Sequence, residues 1–212
     1  RLDHLPGNKN RYARHGELDA GLHALLNGCA TVAMEYSPSC SIPYVSRVDA
    51  GTVDAIRAFG VDVRSSGDLV QRFEATWDKA ALATHESAAR ALYAIKDRAF
   101  DLMGQRLRQG HPITEIEVQD AMAGWFDDEG LVSDSRPVVA AQENAGDPHY
   151  LPTPKRHRTI APEEIVLLDL WGKLKRPGAV YADITWVGYT GTTVPPRYAS
   201  AFDVIREGRD AA

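Results

Sequence analysis

The chain has 212 residues, of which 44% are hydrophobic and 25% charged, as is typical of a soluble globular protein. Its 24 basic and 29 acidic residues are mixed along the chain and leave a formal net charge of −5, so no basic stripe indicates a nucleic-acid partner. The longest apolar runs, such as residues 165–168, are far too short to span a bilayer, which argues against a membrane partner.

The two cysteines, Cys29 and Cys40, are too few for a disulfide framework and lack the spacing of a zinc or redox motif. We therefore expect two reduced thiols in a cytoplasmic protein. No charged-then-apolar leader follows Arg1, so a signal peptide is not expected. Residues 1–10 have the pattern of a loop and residues 198–212 that of a helix, so we expect both ends to be cuts within a longer protein.

The first part of the chain alternates helical and extended patterns. The pattern predicts a helix over 17–27, a strand from Ala30 to the turn at Ser37-Pro38, an extended segment over 42–48, a helix from an Asp49 cap to Phe59, and a strand over 61–66. This alternation indicates an α/β layer with parallel pairing, which would form the end of a domain over residues 1–77.

The second part begins with helices and continues with strands. A long helix is predicted from Ala80 to Gln109, and a capping box of Thr114 and Glu117 begins a second helix that reaches about Glu129. Strands are predicted over 136–142, 164–171 and 179–191, and a final helix follows from Pro195. Helices followed by antiparallel strands describe an α+β domain over residues 78–212.

Two aspartates lie inside apolar strand patterns. Asp169 and Asp183 are each flanked by large hydrophobic residues, and an ionised carboxylate in such a place needs a metal, a cation or a proton. The polar turn over 173–178 predicts a hairpin, on which the two carboxylates can share one face. Oxygen ligands of this kind suit manganese, magnesium, cobalt or zinc. The alternative is that each aspartate pairs with an arginine or caps a turn.

A glycine- and proline-rich loop over 146–154 precedes the aspartate strands and contains His149. Since the charge of a histidine is easily tuned near neutral pH, His149 is a candidate for substrate binding or proton handling. An exposed loop histidine without a role in chemistry is the alternative.

The order of three segments, 142–152 (QENAGDPHYLP), 166–171 (VLLDLW) and 181–191 (YADITWVGYTG), resembles the M24 metallopeptidase family. That family has the pita-bread fold and includes Xaa-Pro dipeptidase, aminopeptidase P and creatinase. Residues 34–77 resemble the end of the N-terminal domain of these enzymes. The resemblance implies a pita-bread catalytic domain, incomplete at its C-terminal side and preceded by the end of a creatinase-type α/β domain.

The resemblance also implies roles for individual residues. Asp169 matches the aspartate that binds one metal, Asp183 matches the aspartate that bridges two, and Thr185 matches a threonine close to them. His149 with Tyr150 matches the substrate pocket, where the histidine also takes part in catalysis. A further histidine and two glutamates would complete the two-metal site beyond Ala212. Trp171 and Trp186 depart from the usual Asp-x-Gly and Asp-Ile-Thr-Arg patterns, which indicates a subfamily.

The activity implied by the resemblance is hydrolysis of the peptide bond before a proline, with two divalent ions (manganese, cobalt or zinc) activating water. We expect a homodimer that acts on peptides with proline at the second position, and we expect this chain alone to be inactive. Two alternatives stay open: a creatinase-like hydrolase without metal, and a non-catalytic binding module built on a peptidase fold.

Overall fold

A computed structural model describes residues 6–212 of the chain. They form two compact units, one that ends at Thr76 and one that runs from Trp77 to Ala212. The predicted loop over residues 1–10 lies partly outside the described residues. None of the described helices combines the length and the apolar character that a membrane crossing requires.

The first unit is a small α/β layer. Its elements are α1 (His15–Leu26), β1 (Thr31–Met34), α2 (Ala50–Ala58), β2 (Asp62–Ser65) and α3 (Gly67–Glu74). Strands β1 and β2 pair in parallel, as predicted. The cap of α2 is also confirmed, because the carboxylate of Asp49 accepts a hydrogen bond from the Thr52 amide at 3.0 Å. The buried core of this unit consists of Val53, Ile56, Val61 and Val63.

The predicted extended segment over 42–48 is wrong. The structure has a short 3₁₀ helix there, Pro43–Val45, and another, Pro38–Cys40, just before it. Each begins with a proline, whose ring fixes φ near the helical value, and the amides of Ser41 and Ser46 donate back to the carbonyls of Pro38 and Pro43. The turn led by Pro43 therefore overrides the strand-forming preference of Tyr44 and Val45.

Three helices belong to the second unit: α4 (Lys79–Arg108), α5 (Glu115–Asp128) and α6 (Pro196–Ala211). The predicted capping box of α5 is confirmed, since Thr114 and Glu117 exchange side-chain-to-backbone hydrogen bonds. The predicted end of the long helix is confirmed as well: α4 ends before Gly110, which has a φ of 70°.

The strands of the second unit are arranged around one long central strand. They are β3 (Ile113–Thr114), β4 (Leu131–Val132), β5 (Val138–Ala141), β6 (Thr159–Ile160), β7 (Ile165–Leu174) and β8 (Ala182–Tyr189). Strand β7 pairs antiparallel with β4, β5 and β8, and the β7–β8 pair is the predicted hairpin. Strands β3 and β6 form a separate short antiparallel pair.

One face of the β7–β8 hairpin packs on the helices. Val166, Leu168 and Leu170 are fully buried and share a hydrophobic core with residues of α4 and α5. The intervening residues of β7, among them Asp169, are only half-buried. Because side chains alternate across a strand, the hairpin has a helix-covered face and a more open face, and Asp169 lies on the open one.

Candidate active site

Asp169 and Asp183 lie on the same face of the hairpin. Asp169 is directly opposite Thr185, and Asp183 is directly opposite Trp171. Cross-strand partners share a face, and so do residues two apart along a strand, so the two carboxylates are diagonal neighbours. Asp169 is half-buried, whereas Asp183 is exposed. The structure thus brings the two predicted aspartates together on the open face.

The electrostatics of this pair agree with its geometry. Although Asp183 is exposed as a residue, partial desolvation of its carboxyl raises its pKa, and the negative charge of Asp169 raises it further. The hydroxyl of Thr185 donates a hydrogen bond to Oδ1 of Asp169 at 2.7 Å. Over residues 6–212, no lysine, arginine or histidine forms an ion pair with either aspartate. The alternative of arginine-paired aspartates therefore finds no support in the described residues.

The donor set around the pair is small. Across the described part of the chain, no cluster of three or more histidine, cysteine, aspartate or glutamate side chains could hold a metal ion. Two adjacent carboxylates without a cationic partner have the ligand chemistry that divalent ions prefer. The residues present therefore fit one part of a metal site and do not complete it.

Trp171 stands beside the carboxylates on the open face. Its indole N–H donates to Oδ1 of Asp134 at 2.6 Å, which fixes the ring, and the residue is half-buried. It lies two residues from Asp169 and directly opposite Asp183. Trp171, at the position where the resemblance to M24 leads one to expect glycine, therefore lies on the open face in register with Asp183.

His149 lies in the loop that follows a 3₁₀ helix, Gln142–Gly146. Its side chain is exposed, and its backbone N–H donates to Oδ1 of Asp147 at 3.0 Å. Asp147 is held in turn by Arg156, and these two interactions lower the pKa of the Asp147 carboxyl. In the part of the chain that the structure describes, no hydrogen bond or ion pair joins His149 to Asp169 or Asp183.

Tyr150 is buried, with 2% of its surface exposed, and its hydroxyl donates to Oε2 of Glu115 at 2.5 Å. Burial and this carboxylate together raise the pKa of the phenol. The substrate-binding role of Tyr150 stays a prediction, and the structure adds a second role, which is to anchor the loop that carries His149. Glu115 itself was not predicted; its only sequence signal is an acidic residue inside the capping box of α5.

Comparison with solved structures shows the fold. The dipeptidase PepE of Mycobacterium ulcerans matches 85% of this chain and 43% of its own, with 20% identity and a TM-score of 0.59. An X-Pro aminopeptidase of Thermotoga maritima matches 94% of this chain and 52% of its own, with 18% identity and a TM-score of 0.54. An X-prolyl aminopeptidase of Caenorhabditis elegans, described as a cytosolic enzyme with a dinuclear active site, matches 86% of this chain and 29% of its own, with 19% identity and a TM-score of 0.60.

The second unit is thus an α+β domain of the pita-bread peptidase class, as the sequence predicted. The family model for metallopeptidase family M24 matches residues 87–212, and the chain belongs to this family. No curated protein sequence gives a significant match. The chain spans about half or less of the length of these three structures, the shares being 43%, 52% and 29%. The assignment of the first unit to a creatinase-type domain stays a prediction.

Proposed function

We propose that the protein to which this chain contributes hydrolyses the peptide bond before a proline, as a dipeptidase or an aminopeptidase, with two divalent metal ions. The observation that carries this proposal is the Asp169–Asp183 pair on the open face of the hairpin in a chain of family M24. Two like charges at adjacent positions, without a cationic partner in residues 6–212, favour a bound cation.

The two aspartates differ in the number of carboxylate oxygens that are available to bind a metal ion. Asp183 has no hydrogen bond within the described residues, so both of its oxygens would be available to hold metal ions, whereas one oxygen of Asp169 accepts from Thr185. Carboxylate oxygens suit manganese, cobalt and zinc. The remaining ligands, a histidine and two glutamates, would come from residues outside this chain, which accords with the partial coverage of the similar structures.

The chain's own residues would bind and orient the peptide. When bound, the ions supply Lewis-acid chemistry, which activates water and polarises the scissile carbonyl. The exposed imidazole of His149 would donate a hydrogen bond to the carbonyl oxygen, where negative charge develops during attack. Because a prolyl nitrogen carries no hydrogen, the pocket must recognise the ring by shape.

We further propose that the protein is cytoplasmic, since Cys29 and Cys40 are both free. We also propose that it forms a homodimer, which sedimentation would detect.

Binding of Mn²⁺ to the chain tests the carboxylate pair directly. We expect weak binding by the 212-residue chain, and we expect D169N and D183N each to weaken it by at least tenfold, because each removes one ionic ligand. Electron paramagnetic resonance of free Mn²⁺ measures the bound fraction. D203N is the matched control, because Asp203 is exposed on α6 and pairs with Arg206. Binding by D169N and D183N equal to that of D203N would contradict the proposal.

Hydrolysis of Xaa-Pro dipeptides tests the reaction. We expect the complete protein, loaded with Mn²⁺, to cleave a dipeptide with proline second and to leave the reversed Pro-Xaa sequence intact. The 212-residue chain alone should give no turnover, because its described residues hold only part of the site. Turnover by the chain alone would show that the site is complete within it. Failure of the complete protein to bind metal would instead favour the non-catalytic binding module.

A further inference from the structure

Glu115, the first residue of α5, is a completely buried carboxylate, with 0% of its surface exposed. Four groups donate hydrogen bonds to it. They are the amide of Ala141 (2.7 Å), the side-chain amide of Asn144 (3.0 and 3.2 Å), the hydroxyl of Tyr150 (2.5 Å) and the amide of Arg158 (2.8 Å). Each of its two oxygens accepts from at least two of these donors.

All four donors are neutral. No lysine, arginine or histidine of the described residues forms an ion pair with Glu115, and the guanidinium of Arg158 points instead to Glu143 and Glu164. A buried charge is costly unless hydrogen bonds replace its water, and here neutral donors do so. Loss of the carboxylate would leave several buried donors without an acceptor, which costs more than the loss of an ordinary hydrogen bond.

The donors come from one stretch of chain. Ala141 is the last residue of β5, Asn144 lies in the 3₁₀ helix after it, Tyr150 follows His149, and Arg158 directly precedes β6. The carboxylate therefore holds residues 141–158, which we call the histidine loop, at both ends and in the middle. A single side chain on α5 thus accepts hydrogen bonds from positions spread along the whole histidine loop.

We propose that Glu115 is a positioning residue, which fixes the histidine loop and with it the location of His149. The consequence for catalysis rests on the function proposed above, whereas the effect on the loop does not. Glu115 touches no reacting atom in this proposal. It acts through Tyr150, the residue that follows His149, whose hydroxyl donates a hydrogen bond to the Glu115 carboxylate.

Hydrogen exchange on the 212-residue chain tests the loop. We expect E115Q to raise the exchange rates of the Ala141 and Arg158 amides about tenfold or more, because an amide side chain offers one acceptor oxygen in place of two. E164Q is the matched control. Glu164 forms an ion pair with Arg158 and accepts a hydrogen bond from the Ala161 amide. Because neither of these contacts involves residues 141–150, those residues should keep their protection in E164Q. Protection of Ala141 in E115Q equal to that in E164Q would overturn the proposal.

Y150F provides a milder change if E115Q does not fold. It removes one donor and leaves the carboxylate with the other three, so we expect faster exchange around residues 144–150 and unchanged protection at Arg158. The nuclear magnetic resonance signal of the His149 ring should shift or broaden in Y150F and should stay in place in E164Q. An unchanged His149 signal in Y150F would mean that the histidine is placed independently of Glu115.

A double-mutant cycle connects the loop to the reaction in the complete protein. We expect E115Q and H149A each to lower kcat/KM for an Xaa-Pro dipeptide by about tenfold or more, and the double variant to be no slower than H149A alone. Thermal stability, in contrast, should fall with E115Q and not with H149A, because His149 is exposed. Multiplicative losses of kcat/KM would show that Glu115 does not act through His149, which would overturn its role in placing the histidine. If the complete protein were inactive, the proposed function would be refuted. Hydrogen exchange on the 212-residue chain would still test the role of Glu115 in the histidine loop.

Discussion

The two aspartates of the open face are held differently, and one hydroxyl accounts for much of the difference. Thr185 donates to Asp169 from the directly opposite position on β8, so Asp169 has a fixed orientation. Within residues 6–212 no hydrogen bond holds Asp183, whose pKa is raised by partial desolvation and by the charge of Asp169. A side chain that orients a ligand contributes to metal affinity without touching the ion.

We predict that T185V weakens Mn²⁺ binding about tenfold, because Asp169 loses the hydrogen bond that orients it. Valine has the shape of threonine and suits an exposed strand position, so the melting temperature should stay within a few degrees. T185S keeps the hydroxyl and should retain most of the affinity. Titration with Mn²⁺ compares the three proteins, and a T185S affinity as low as that of T185V would refute the role of the hydroxyl.

Single residues could be predicted from the sequence where a short stretch of chain around them carries the signal. Asp169 and Asp183 could be found because each interrupts an apolar strand and a polar turn joins the strands. Glu115 could not, since its donors follow it by 26, 29, 35 and 43 residues, and no local pattern records which of them fold back onto it. The burial of Tyr150 escaped prediction for the same reason.

At the scale of helices and strands, the contact between α4 and the β7–β8 hairpin depends on a glycine. A Cβ atom at Gly188 would overlap the ring of Phe100, which extends from α4 over β8. A second glycine, Gly172 on β7, lies similarly beneath Phe126 of α5. Both glycines are on the helix-covered face. The two phenylalanine rings occupy the space that a side chain at each of these strand positions would fill.

We predict that G188A lowers the free energy of unfolding by about 1–3 kcal/mol, because Phe100 must leave its position to admit the methyl group. Urea denaturation measures the change. G124A is the control with the opposite sign: Gly124 lies within α5, nothing would contact its added methyl group, and alanine should stabilise the helix by about 0.5–1 kcal/mol. The double variant G188A/F100L should recover part of the loss, and equal stability of G188A and the original chain would count against this packing.

The elements themselves were predicted well where periodicity and caps agree. Helix α4, the capping box of α5 and the β7–β8 hairpin all follow from apolar spacing with a glycine or a polar cap at the end. The prediction for residues 42–48 failed because Pro43 imposes a turn on residues that otherwise favour strands. Helix α3 was missed: it has eight residues, and none of them is buried.

At the scale of the whole molecule, the two units have very different cores. Within residues 6–76, the buried hydrophobic side chains are four aliphatic ones, each 5–7% exposed, whereas the second unit has a cluster in which Leu92, Ile95, Val118, Leu168 and others are fully buried. The match to the family model, from residue 87 to 212, lies entirely within the unit with the larger core. A site that must hold charged side chains at fixed separations benefits from such a rigid support.

We therefore predict that the first unit unfolds at lower urea than the second. Because little apolar surface is buried around β1 and β2, their amides should lose protection first, while β7 stays protected. V63A should move only the early transition to lower urea, and L168A, which leaves a cavity in the larger core at a cost of about 2–5 kcal/mol, should move only the late one. Hydrogen exchange at increasing urea resolves the two transitions. A single transition that both variants shift equally would show that the units unfold together, and the separate cores would then not determine the stability of each unit.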